Sequence, residues 1–175
     1  MKITFVHIGR EHLGIEYLSS MLKARGHTTA LAYDPGIFGP EDNVLHIPFL
    51  EKLFNQRNRV LTAILESKPD LVAFSVYTGN YPWACGIARA IKSSMNIQTV
   101  FGGIHATLVP DEVIANDFVD FLVVGEGEQP LVELVDALEK RRTEFTIPNL
   151  WYKSSGSVIK NPLGPLMEKL DPLPL

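Results

Sequence analysis

Four loops hold most of the residues in this chain whose types and spacing suit chemistry. They are Gly9-Arg10-Glu11-His12-Leu13-Gly14, Ser75-Val76-Tyr77-Thr78-Gly79, Gly102-Gly103-Ile104-His105-Ala106-Thr107 and Gly125-Glu126-Gly127-Glu128. Gly102-Gly103 removes two successive side chains, so a ligand can approach the backbone closely there. A tight turn with positive φ accounts for one glycine equally well; for two, followed by His-Ala-Thr, close approach is the preferred reading. Ser75 offers a hydroxyl, a role that a satisfied core serine also fills. Glu126 and Glu128 can accept hydrogen bonds from ligand amides, although acids just before Pro130 also stabilise the start of a helix. His12 and His105 carry a common metal-binding side chain, and hydrogen bonding or capping is the preferred role for both. An acid/base enzyme built on His105, Glu126 and Glu128 is a third reading. It lacks a paired nucleophile and base, because Cys85 falls among small residues of a predicted helix. No catalytic residue and no metal ligand is assigned.

The elements that must position these loops follow from the alternation of short apolar runs with helical patterns, the mark of βαβ units and a parallel sheet. Strands are expected at Ile3 to Ile8, Thr28 to Tyr33, Leu71 to Val76, Ile97 to Phe101 and Val119 to Val124. Helical spacing joins Leu13, Tyr17, Leu18, Met21 and Leu22, with Gly26 as a left-handed stop. Pro48 to Ser67 reads as one helix or two, after a turn-rich stretch from Asp34 to Asn43. Ala84, Ile87, Ala88, Ile91 and Met95 share a third helical face. Pro110 opens a short helix, and Pro130 opens another that buries Leu131, Leu134, Val135 and Leu138. Asn149 to Lys160 then reads as a β-hairpin, followed by a proline-rich tail. The chain is thus read as a doubly wound α/β domain over residues 1–145, a hairpin extension over 146–162 and a linker over 163–175. In such sheets ligands bind beyond the carboxyl ends of the strands, where all four loops fall.

The usual occupants of that position can be tested against the residues. Gly9 and Gly14 do not form the G-x-G-x-x-G turn of a dinucleotide site. A Walker loop is absent, Phe74-Ser75-Val76-Tyr77 supplies no phosphorylatable aspartate, and the first loop has no Ser or Thr for a flavin phosphate. What remains favours a large, mostly uncharged ligand. Composition adds further limits. With 46% hydrophobic and 21% charged residues and a net charge of -4, the chain has an ordinary globular balance. Its densest basic run, Lys140-Arg141-Arg142, ends a predicted helix and is no nucleic-acid stripe. No apolar run is long enough to span a bilayer, so no membrane partner is expected. The single cysteine excludes an internal disulfide or an iron–sulfur site built from this chain alone. It also fits a reducing, cytoplasmic setting.

Taken in order, FGGIHATLVPDEV, VDFLVVGEGEQPLVELVDALE and IPNLWYKSSGSVIKNP resemble the N-terminal cobalamin-binding domain of B12-dependent radical SAM enzymes. The likeness covers essentially the whole chain, and the closing LDPLPL resembles the linker into the radical SAM barrel. The resemblance implies a flavodoxin-like five-stranded parallel sheet with the corrin across its strand ends. It implies a nucleotide tail entering beside Ser75, Gly102 and Gly103, with Gly125, Glu126, Gly127 and Glu128 lining the remaining edge. Gly9, His12, Leu13, Tyr77, Thr78, His105, Ala106 and Thr107 complete the expected cofactor contacts. An iron–sulfur cluster and S-adenosylmethionine would belong to a downstream radical SAM domain, of methyltransferase or cyclase type, absent from this chain. One departure matters. The D-x-H-x-x-G signature of histidine-ligated cobalamin domains is not met, since His12 lies too close to Gly14 and no Asp precedes it by two residues. Base-off cobalamin without a histidine ligand is therefore expected. A competing reading is an interaction or structural module that kept the scaffold and lost the cofactor.

Overall fold

The structure, a computed structural model, describes residues 1–9, 12–36, 47, 49 and 56–166. Its strands are β1 (Lys2–Ile8), β2 (Thr28–Asp34), β3 (Leu71–Ser75), β4 (Gln98–Gly102), β5 (Phe121–Val123), β6 (Leu150–Ser154) and β7 (Ser157–Lys160). Its helices are α1 (Leu13–Ala24), α2 (Arg57–Ser67), α3 (Tyr81–Ser94), α4 (Ile104–Leu108), α5 (Pro110–Ile114) and α6 (Glu128–Glu139). One sheet runs in the order β2-β1-β3-β4-β5-β6-β7. The first five strands are parallel and the last two antiparallel. This is the expected flavodoxin-like order, and the hairpin continues the same sheet. The direction of winding reverses between β1 and β3, which opens a crevice at their carboxyl ends.

The strands sort their side chains by the period-two rule. Phe5, Ala73, Val100 and Val123 face α1 and α6 and join one core cluster with Leu22, Leu131, Leu134 and Val135. Val6, Phe74, Phe101 and Leu122 face the other way and pack with Ile64, Ile87 and Ile91 of α2 and α3. Because both faces are covered, β3 and β5 are apolar almost throughout. The helix ends follow local chemistry. Gly26 takes φ 85 just after α1, and Lys68 closes α2 at φ 47. The hairpin turns on Ser155 and Gly156, at φ 50 and 79, the paired positive angles of a two-residue turn that suits the strand twist.

Three local readings change. Gly103 to Thr107 is not an open loop, because α4 begins directly after Gly103. The helix expected from Pro130 starts two residues earlier, placing Glu128 in its first turn. Of the helical stretch expected from Pro48, Arg57–Ser67 is helical, and the turn-rich segment from 37 to 46 and most of 48–55 lie outside the described residues. No described helix is long and apolar enough to cross a membrane.

Candidate functional site

The crevice is a real cavity of about 200 Å³. Its walls are apolar side chains of the α1/α6 face, Phe5, Leu18, Ala73, Val100, Val123 and Leu131. Its mouth is formed by His12, Ser75, Gly102, Gly103 and the Gly125–Glu128 segment. Eight of the residues singled out from the sequence are therefore brought together: His12, Ser75, Gly102, Gly103, Gly125, Glu126, Gly127 and Glu128. Gly9, Leu13, Tyr77, Thr78, His105, Ala106 and Thr107 do not line it.

The polar groups are held by a small number of contacts. His12 Nε2 lies 3.3 Å from Ser75 Oγ. Its ring folds over Gly14, where an added Cβ would come within 3.1 Å of His12 Cε1. His12 Nδ1 and Glu128 Oε2 are both buried without a hydrogen-bond partner. Two such atoms at the edge of one cavity are costly unless a bound molecule satisfies them. Among the described residues that line the cavity there is no lysine or arginine. The site thus combines an apolar slot with polar atoms at its rim, the usual make-up of a pocket for an organic cofactor.

The two glycines after β4 play different roles. A Cβ on Gly103 would sit 2.7 Å from Val76 O and 2.9 Å from Val76 N, and its φ is 96. Its missing side chain serves the chain itself, since His105 N–H donates to Val76 O at 3.0 Å and Val76 N–H to Gly102 O at 2.8 Å. A Cβ on Gly102 would meet nothing closer than Val123 Cβ at 3.7 Å. Only Gly102 leaves space that a ligand can use. Asn80, buried behind this turn, accepts from Tyr77 N–H at 2.9 Å and donates to Ser75 O at 3.2 Å.

The remaining predicted residues have other surroundings. Tyr33 donates its hydroxyl hydrogen to Gly9 O, and Gly9 N–H donates to Asp34 O at 2.9 Å, so Gly9 ties β1 to β2. Leu13 is 65% exposed beside the mouth. Ala106 is fully buried in the opposite core. Thr107 Oγ1 donates to Gly103 O at 3.0 Å and accepts from Gly125 N–H at 2.9 Å, fastening one site loop to the other. His105 and Thr78 belong to a separate cluster. His105 lies 4.2 Å from the Tyr81 ring and its Nδ1 is 3.3 Å from Thr78 Oγ1. Asn116 Nδ2 donates to Tyr81 Oη at 3.1 Å. Burial and the neighbouring Cys85 thiol push the Tyr81 phenol up to about 12, and burial pushes the Cys85 thiol up, so both stay protonated near neutrality. Sequence reasoning missed Gly14, Leu18 and Leu131, and also Asn149, whose Nδ2 donates to Glu126 O at 3.4 Å. Leu18 and Leu131 read only as core positions of their helices, Gly14 only as part of the first loop, and Asn149 had only the usual turn preference of asparagine.

Comparison with known proteins agrees with this geometry. Residues 10–135 match the B12 binding domain family. An uncharacterized methyltransferase of Pyrococcus horikoshii is 36% identical over 109 residues, covering 61% of this chain and 24% of that protein. The anaerobic magnesium-protoporphyrin IX monomethyl ester cyclase of Rubrivivax gelatinosus is 27% identical, covering 98% of this chain and 31% of that protein. The chain therefore spans about a quarter to a third of the length of these curated relatives. The cobalamin-dependent S-adenosylmethionine radical enzyme OxsB, solved with aqua-cobalamin and S-adenosylmethionine, superposes with a TM-score of 0.71 at 20% identity, over 94% of this chain and 22% of that one. The radical S-adenosylmethionine methyltransferase TsrM of Kitasatospora setae, solved with cobalamin and a [4Fe-4S] cluster, gives a TM-score of 0.72 at 16% identity, over 99% of this chain and 30% of that one. The topology, the crevice at the strand ends and a match over most of the chain place this protein in the B12-binding domain family.

Proposed function

We propose that this domain holds cobalamin in its base-off form, with the nucleotide tail in the cavity between α1 and α6 and the corrin against the loops after β1, β3, β4 and β5. The observation that carries this reading is the slot itself: apolar walls, the open backbone of Gly102, and two unpartnered buried atoms, His12 Nδ1 and Glu128 Oε2, at its mouth. An aromatic base suits the walls, and ligand amides or hydroxyls suit the rim. Ser75 offers its hydroxyl, Glu128 an acceptor, and the exposed Gly125 a surface without a side chain. His12 is turned inward onto Ser75 and Gly14, which supports a cofactor without a histidine lower ligand.

The corrin's cobalt supplies alkyl-transfer or electron-transfer chemistry when bound; the residues here bind, orient and shield it. The reacting centre of the whole enzyme lies in a downstream radical SAM domain that holds an iron–sulfur cluster and S-adenosylmethionine, and the parent reaction is of methyltransferase or cyclase type. Residues 163–175 serve as the link to that domain, and the protein works in the cytoplasm. The test is a titration of the purified chain with hydroxocobalamin followed by gel filtration and visible spectroscopy. A retained base-off spectrum is expected. Loss of the corrin on the column refutes cofactor binding and favours a module that kept only the scaffold; a histidine-ligated spectrum refutes the ligand assignment.

A further inference from the structure

The Gly125–Glu128 segment is a wall with a cavity on each side. Glu126 and Glu128 line the cofactor cavity and also a second one of about 290 Å³, bounded by Pro148, Asn149, Gly164 and Leu166. Asn149 is the residue on which this wall and the segment after β7 both hang. Its carbonyl accepts from Val124 N–H at 2.9 Å, and its Nδ2 donates to Glu126 O at 3.4 Å. On the other side its N–H donates to Pro162 O at 2.9 Å, and its Oδ1 accepts from Gly164 N–H at 2.6 Å. Asn149 is 8% exposed and holds φ 66, a conformation that asparagine tolerates better than most residues. Gly164 is seated tightly, since a Cβ there would lie 3.0 Å from Pro148 Cβ.

We propose that Asn149 is a positioning residue that couples the seating of residues 162–164 to the Glu126–Glu128 wall, so that unseating this segment loosens the wall and weakens cofactor binding. The ligand in this statement rests on the cobalamin reading; the mechanical coupling does not. The reason is hydrogen-bond accounting around one buried amide. With Gly164 gone from its seat, Oδ1 loses its partner and the side chain is free to turn toward another donor, releasing Glu126 O. The segment that follows the hairpin can thus report its own position to the cofactor site through a single side chain.

Two variants test this from opposite ends. Gly164→Val unseats the segment by pressing on Pro148 while leaving Asn149 itself in the sequence, its Oδ1 only in ordinary contact at 3.8 Å from the new Cβ. Asn149→Gly removes the side chain while keeping the positive φ. In the cobalamin-free chain, both should speed amide hydrogen exchange in the peptide covering Gly125–Glu128, by about 2- to 12-fold for the one bond lost to Glu126 O. Exchange in β3 should stay unchanged, which confirms an intact fold. Hydroxocobalamin Kd should rise by a similar factor in each, and the double variant should be no worse than the weaker single. Unchanged exchange at Gly125–Glu128 in Gly164→Val overturns the coupling, as do fully additive effects on Kd. A wild-type chain that takes up no corrin sinks the cobalamin reading, while the exchange measurement still decides the coupling.

Discussion

Gly102 and Gly103 make the sharpest test, because two adjacent glycines should fail in different ways when given the same methyl group. At Gly103 the new Cβ would press to 2.7 Å from Val76 O and 2.9 Å from Val76 N, with φ at 96. That backbone, with φ 96 and ψ -175, lies in a region adopted almost only by glycine and costs about 1–3 kcal/mol for an L residue. Overpacking against backbone atoms that cannot rotate away adds about 1–3 kcal/mol. Gly103→Ala should therefore lose roughly 2–6 kcal/mol of a total stability of about 5–15 kcal/mol. At ~2–4 °C per kcal/mol for a chain of this size, Tm falls by about 4–24 °C. At Gly102 the Cβ finds ordinary contact, 3.7 Å from Val123 Cβ. Gly102→Ala should leave stability within about 0.5 kcal/mol, like a neutral surface change. Yet its methyl enters the cavity, so hydroxocobalamin should bind at least roughly tenfold more weakly, the order expected of an overpacked site. Thermal melts by circular dichroism and a visible titration read both effects. A Gly103→Ala chain as stable as wild type would refute the packing argument. Wild-type affinity in Gly102→Ala would refute the use of this cavity by the ligand.

Other perturbations follow from the same contacts. His12→Ala should keep the base-off spectrum of bound cobalamin and change only affinity; a shift in the cobalt(II) electron paramagnetic resonance signal would show that His12 is a ligand. Cys85, buried and with its thiol pushed up by burial, should react with Ellman's reagent only as fast as the fold opens; stoichiometric labelling of the native chain within seconds would contradict this. The N-terminal ammonium, 2.9 Å from Glu139 Oε1, holds that carboxyl below its usual range. A depressed carboxylate stabilises the fold above its unfolded pKa of about 4.3 and loses that contribution as pH falls through the folded value. The urea midpoint should therefore drop between about pH 6 and 3 by less in Glu139→Gln than in wild type; an equal drop would remove the pair from the acid response.

The parallel sheet was legible because burial on both faces forces near-continuous apolar strands, as at Leu71 to Phe74, and because the helices between them require parallel crossovers; the flavodoxin-like arrangement came only with the family resemblance. Errors fell where tertiary packing overrides local signals. Pro130 reads as a helix opener, yet α6 begins at Glu128, because proline is tolerated anywhere in the first turn, whose N–H groups lack partners. The His-Ala-Thr run reads as loop, yet Gly103 turns the chain directly into α4. At the mouth of the cavity, the glycines and acids stood out in the sequence because they cluster at the ends of β4 and β5, leaving backbone and carboxylates open. The walls were hidden: Phe5, Leu18 and Leu131 look like any core residue, and nothing local says that the core between them stops short. His105, equally conspicuous in the sequence, lies outside this cavity with its ring against Tyr81 and Thr78.

The antiparallel hairpin has a consequence for where the folding unit ends. β5 is only three residues long, and it is flanked by β4 on one side and β6 on the other. A chain cut at residue 145 would retain every parallel strand, yet it would leave this short strand as a bare edge beneath the Gly125–Gly127 loop. Its unpaired backbone groups would then invite pairing with other molecules. Tyr152, which accepts from Phe145 N–H at 3.3 Å, would be lost with the hairpin, loosening the end of the remaining chain. Such a cut is expected to yield aggregated protein, whereas an end placed beyond Gly164 keeps the sheet edge, the Asn149 tie and the site loop in one cooperative unit.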